Sequence, residues 1–223
     1  MIVYHGSTSI INPPVWGAGK PTNDYGRGFY CTESPELAKE WACAKGTDGF
    51  ANIYQFDLTG LKVLDLNSGK YCILTWLAIL AKYRTYWENG SISREAKDYL
   101  QKNFFVSPEK YDVVCGYRAD DSYFTFAKNF VSNGISLEQL KKAMYLGALG
   151  EQIVLKSKSA FSQIAYAGNL PAKSEKYTKR AQERDKEARK IYRELSRESS
   201  YSTGIFMADI IRERMTADDP RLQ

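Results

Sequence analysis

The chain has 223 residues, of which 43% are hydrophobic and 13% aromatic, and it carries a formal charge of +5. This supports one globular domain with a real core and excludes a fibrous or disordered chain. No run approaches the length of a membrane span, the start Met1-Ile2-Val3-Tyr4-His5 has no leader character, and a cytoplasmic protein with no membrane contact is expected.

Met1 to Tyr4 reads as a short buried strand ending at His5, the one histidine of the chain. Residues 10–28 hold three prolines and four glycines and read as a loop. Gly28 to Thr32 reads as a short strand. Ser34-Pro35-Glu36 then opens a helix, with serine as cap, proline at the first helical position and an acid in the first turn. Leu37, Trp41 and Ala44 follow on it at helical spacing. Ala51–Leu58 and Lys62–Leu66 read as strands, Tyr71–Tyr86 as a long apolar helix, and Ser93–Asn103 as a helix capped by Ser93. Tyr111–Gly116 reads as a buried strand, and Tyr123–Asn129 as strand or helix. Ser136–Tyr145 reads as a helix with the capping box Ser136-x-x-Gln139. Gln152–Lys156 reads as a strand, Ala160–Ala167 as a strand or turn, Lys173–Ser199 as a long charged helix, and Gly204–Met215 as an amphipathic one. Short strands mixed with helices, without strict alternation, predict an α+β fold.

The four cysteines, Cys31, Cys43, Cys72 and Cys115, lack metal-site spacing and are expected as reduced thiols, Cys72 and Cys115 in the core. No metal is expected. Charge is uneven. Lys173 to Arg197 carries ten bases and five acids, so that stretch holds the whole net charge and the rest is neutral. A catalytic domain over 1–170 and a charged helical extension over 171–223 are therefore expected. The 173–197 run is either a solvated helix face or a surface for a partner or nucleic acid.

Two segments carry chemistry. One is Tyr4-His5-Gly6-Ser7-Thr8; the other is Tyr25-Gly26-Arg27-Gly28-Phe29-Tyr30. Together they resemble the first two parts of the His-Tyr-Glu signature of ADP-ribosyltransferases, closest to the diphtheria-toxin and poly(ADP-ribose) polymerase branch. The resemblance implies split antiparallel sheets with inserted helices and NAD in the cleft between them. It also implies that His5 holds a ribose hydroxyl, that the Gly6 backbone pairs with the nicotinamide amide, and that Tyr30 packs on the nicotinamide ring. Ser7 and Gly28 fall in the same NAD-binding segments. Trp41, eleven positions after Tyr30, would close a sandwich on the ring, although it fits a core position as well. Ala38 stands where the polymerases have an amide-binding serine.

The third signature position falls in Gly150-Glu151-Gln152-Ile153-Val154-Leu155. Only one of Glu151 and Gln152 can face the cleft, because strand side chains alternate. A polymerase-like alignment makes Glu151 catalytic, and a toxin-like one selects Gln152. The chain also resembles, over nearly its whole length, a bacterial family of uncharacterised function placed in this superfamily and often encoded beside a small partner protein. A glutamine there favours Gln152, although a carboxylate would serve the chemistry better. Arg118, Asp120, Asp121 and Tyr123, after a buried strand, are candidates for binding the acceptor, with a salt-bridged turn as the plain alternative.

The function implied is transfer of ADP-ribose from NAD to a macromolecular acceptor, protein or nucleic acid, by the toxin of a toxin–antitoxin or phage-defence pair. The partner would be a small antitoxin. Alternatives are an NAD glycohydrolase or a silent module that binds NAD or ADP-ribose. The related RNA 2′-phosphotransferase normally needs more than one histidine.

Overall fold

The computed structural model describes residues 1–84, 91–119, 121–144, 150–198 and 204–223. The architecture is α+β, with two sheets among the described residues. The first sheet has the order β1-β3-β7, from β1 (Ile2–Ser7), β3 (Gly49–Phe56) and β7 (Ile164–Ala172), all antiparallel. The second has the order β2-β6-β5-β4, from β2 (Phe29–Cys31), β6 (Glu151–Leu155), β5 (Val113–Tyr117) and β4 (Val63–Asp65). Here the β4–β5 pair is parallel, so this sheet is mixed. A bridge between Tyr4 and Thr32 ties the two sheets beside the His5 segment.

β1 does not end at His5. It pairs with β3 through to Ser7 opposite Phe50, so His5 and Gly6 lie within the ladder. The strand is also not wholly buried, because Ile2 is exposed while Val3 is in the core. Helix α1 (Pro35–Ala42) starts as its sequence dictates. Ser34 Oγ accepts from the Leu37 amide at 3.3 Å, and Pro35 takes the first turn. α1 lies against β1, and Gly6 makes this possible. A Cβ there would collide with the Ala38 carbonyl and sit 2.7 Å from Trp41 Cβ.

Most of the remaining helices build the main core. α2 (Ile73–Tyr83) is buried almost all round, with Leu74, Trp76, Leu77, Ile79 and Leu80 at or near zero exposure. α3 (Ser91–Asn103) begins two residues before Ser93, so Ser93 is not its cap. The segment left open between strand and helix is helix α4 (Asp121–Val131), with Phe126 and Phe130 inward. α5 (Leu137–Met144) has the capping box: Gln139 Oε1 accepts from the Ser136 amide at 2.8 Å and Ser136 Oγ from the Gln139 amide at 3.3 Å. The 160–167 segment divides into a short helix α6 (Lys158–Ser162) and the start of β7. The last residues of the expected Tyr71–Tyr86 and Ser136–Tyr145 helices, and Ser199 of the long charged one, lie outside the described residues.

The C-terminal part is docked along the body. α7 (Ser174–Glu198) packs on α1, α4 and α5. Arg184 grips buried Glu40 through Nε at 3.1 Å and Nη2 at 2.8 Å, and Arg180 Nη1 lies 2.6 Å from Glu36. Tyr192 stacks on Phe126 at 4.0 Å. α8 (Met207–Arg212) is shorter than the expected 204–215 helix. Met207, Ile210, Met215 and Leu222 are buried in the same core as α2–α5. At this end of the 171–223 segment the apolar residues complete the core. The cysteines carry free thiols, with Cys31, Cys43 and Cys72 buried and Cys115 half-buried. No described helix is long and apolar enough to cross a membrane.

Candidate active site

The two motif segments meet through the sheet bridge. His5 Nδ1 lies 2.7 Å from the Tyr30 carbonyl. A carbonyl only accepts, so Nδ1 carries the proton and Nε2 is left as an acceptor. The ring stacks on Phe29 at 4.3 Å. Burial holds the imidazole below its ordinary pKa, against the opposing pull of the Tyr30 carbonyl. His5 is therefore a neutral, oriented acceptor near neutral pH.

Tyr30 is fixed at its tip. Its hydroxyl donates to the Gly26 carbonyl at 2.6 Å and accepts from the Tyr25 amide at 3.0 Å. The phenol is kept protonated by burial, so Tyr30 offers its ring and not a proton-transfer group. Gly28 lets β2 lie close on β6, since a Cβ there would be 2.6 Å from Val154 Cγ1.

The register of β6 decides which of Glu151 and Gln152 shares a face with Tyr30. Tyr30 pairs with Val154, and Gln152 is two residues before Val154, so Gln152 shares the face of Tyr30. Gln152 is 5% exposed. Glu151 points to the other face and is exposed. Glu151 does not line the cavity described below.

A cavity of about 620 Å³ lies between these elements. His5, Gly6, Gly28, Tyr30, Trp41, Arg118 and Gln152 all line it. Ser7 does not; its hydroxyl accepts from the Ser9 amide at 3.2 Å in the following turn. Arg118 lies over the Trp41 ring at 4.9 Å. Asp120 lies outside the described residues. Asp121 and Tyr123 begin α4, but their side chains are also outside the description. Among the described residues, Gln152 Oε1 and Trp41 Nε1 in this wall are buried and have no hydrogen-bond partner. Buried polar groups in a folded protein are nearly always paired, so orphaned ones at a cavity wall mark where a ligand can bond.

Asp24 and Arg84 also line the cavity and were not legible as site residues in the sequence. Asp24 is 4% exposed, at the end of the glycine- and proline-rich loop. Its carboxylate accepts from Arg84 Nε at 2.9 Å, from the Ala119 amide at 3.0 Å and from Gln152 Nε2 at a long 3.4 Å. Burial raises its pKa, and Arg84 is the chief influence in the other direction. The only sequence signal was an acid inside a turn-rich loop between the two motifs. Arg84 is sixty residues further on and has none.

The arrangement combines one neutral ring acceptor, one carboxamide acceptor, two aromatic walls and a neutralised carboxylate. It can hold a polar ligand with hydroxyl or amide donors against flat rings. Among the described residues, no cluster of histidine, cysteine or carboxylate side chains could hold a metal.

A family model described as "Protein of unknown function (DUF3990)" matches residues 1–166. The chain belongs to that family. No curated protein and no solved structure matches it.

Proposed function

We propose that this protein is an NAD-dependent ADP-ribosyltransferase acting on a macromolecular acceptor, as the toxin of a toxin–antitoxin or phage-defence pair. One observation carries the reading. His5, Tyr30 and Gln152, from three distant segments, converge on a single cavity. Neutral His5 suits acceptance of a hydrogen bond from a ribose hydroxyl. The rings of Tyr30 and Trp41 suit a cationic pyridinium, for which a ring face is worth about 0.5–2 kcal/mol. In the reaction the bond between ribose and nicotinamide breaks, with its electron pair leaving on the nicotinamide nitrogen. The acceptor nucleophile then bonds to the ribose carbon and releases a proton. Holding both partners in line is the main task of such a site.

A second, smaller cleft of about 290 Å³ shares Trp41 and Arg118 with this cavity and reaches α7 at Thr178 and Gln182. It gives an acceptor a place beside the donor. Binding without turnover is the second reading, and one observation favours it: the third signature position is a carboxamide, a weak partner for a developing cation.

Labelled NAD is incubated with the protein and cell lysate, and the product is digested separately with protease and nuclease. Label lost to only one enzyme identifies a transferase and its acceptor class. Free ADP-ribose alone identifies a glycohydrolase. Intact NAD identifies the silent module.

A further inference from the structure

Gln152 Nε2 faces Asp24 Oδ2 at 3.4 Å, while Gln152 Oε1 is buried at the cavity wall with no partner among the described residues. A flipped amide would set an oxygen against the carboxylate, so the orientation is dictated by charge. Asp24 is itself immobilised by Arg84 and by the Ala119 amide. We propose that Asp24 is a positioning residue, whose carboxylate fixes the Gln152 amide so that Oε1 accepts a hydrogen bond from a hydroxyl or N–H group of the bound ligand. Asp24 does not touch the ligand in this account. The inference rests on the NAD reading only for the choice of probe.

Among the described residues, the titratable groups about Asp24 are Arg84 and Arg118, Tyr25 and Tyr30, and His5 across the cavity. Burial keeps both phenols protonated, and His5 is held neutral above its lowered pKa. None of them masks a new titration between pH 6 and 8.

The test is Gln152→Glu. Two buried carboxyl groups so close cannot both ionise, and one pKa is driven up. With the shared proton in place, the hydroxyl of the introduced carboxyl group donates to Asp24 and its carbonyl oxygen faces the cavity, as the glutamine does. At pH 8 that arrangement is lost. NAD affinity is measured by calorimetry on wild type, Gln152→Glu and the exchange Asp24→Asn with Gln152→Glu, each checked by circular dichroism. Gln152→Glu is expected to bind at least about tenfold more weakly than wild type at pH 8 and to recover toward it at pH 6. The exchange, with one carboxylate, should lose that dependence. Equal affinity of wild type and Gln152→Glu at both pH values, or the same pH dependence in the exchange, overturns the proposal.

Melting temperature separates this from the function. If wild type binds no NAD, the NAD reading fails, but Gln152→Glu must still gain stability relative to wild type as pH falls from 8 to 6. A flat difference overturns the positioning role. Should Gln152→Glu fail to fold at either pH, Gln152→Met, which keeps the volume but removes the acceptor, is expected to fold and to lose about tenfold in NAD affinity. Unchanged affinity overturns the proposal.

Discussion

His5 and Tyr30 are joined by a hydrogen bond of 2.7 Å from Nδ1 to the tyrosine carbonyl, so the tautomer of one motif residue is set by the backbone of the other. The ring acceptor is thereby aimed by the backbone, with Phe29 stacked on the ring at 4.3 Å.

The burial of His5 has a pH consequence, because it outweighs the upward pull of the Tyr30 carbonyl. The folded pKa of His5 lies below its unfolded value of 6.5. The unfolded chain then takes up the proton first, and the His5 contribution to stability is lost as pH falls through that range. From about pH 7 to about pH 5, the melting temperature of wild type should fall more than that of His5→Gln. Parallel curves would show that His5 titrates alike in both states.

Tyr30→Phe separates ring from hydroxyl. The ring remains at the cavity, but the Gly26 carbonyl and Tyr25 amide lose their partner. A loss of about 1–3 kcal/mol in denaturant unfolding is expected, with NAD affinity changed less than in Tyr30→Ala. A larger affinity loss in Tyr30→Phe than that would mean the hydroxyl contacts ligand.

Gly6→Ala tests packing against ligand binding. The added carbon meets the backbone of α1 at Ala38 and Ala42, which has no flexible end to move. We expect a loss of about 1–3 kcal/mol or more, read as a lowered denaturant midpoint. Unchanged stability would show that β1 and α1 are less closely packed than described.

Ile210→Ala tests the C-terminal end. Ile210 is fully buried in the main core, so about 2–5 kcal/mol should be lost. An effect under about 0.5 kcal/mol, as at a surface position, would show that this end does not pack into the core.

Much of this was legible in the sequence. The Ser34-Pro35 start of α1 and the Ser136–Gln139 box were legible because capping is local chemistry. His5 and Tyr30 were singled out by a motif register that survives great separation in the chain, while the choice between Glu151 and Gln152 stayed open until the strand register was known. What was not legible depended on tertiary contact. The ion pair of Asp24 with Arg84, at 2.8 Å, joins residues with no shared pattern. The amphipathic pattern over 204–215 showed an apolar face but not that Met207 and Met215 pack into the same core as α2–α5. The basic run gave the charge of α7, but not that Arg180 and Arg184 hold acids on α1.

The most direct test of the central claim is titration of NAD into the purified, folded protein, in parallel with His5→Ala and Tyr30→Ala. Saturable binding by wild type, weakened at least about tenfold in each variant, is the predicted result. No binding by wild type at millimolar NAD, or the same affinity in all three proteins, would contradict it.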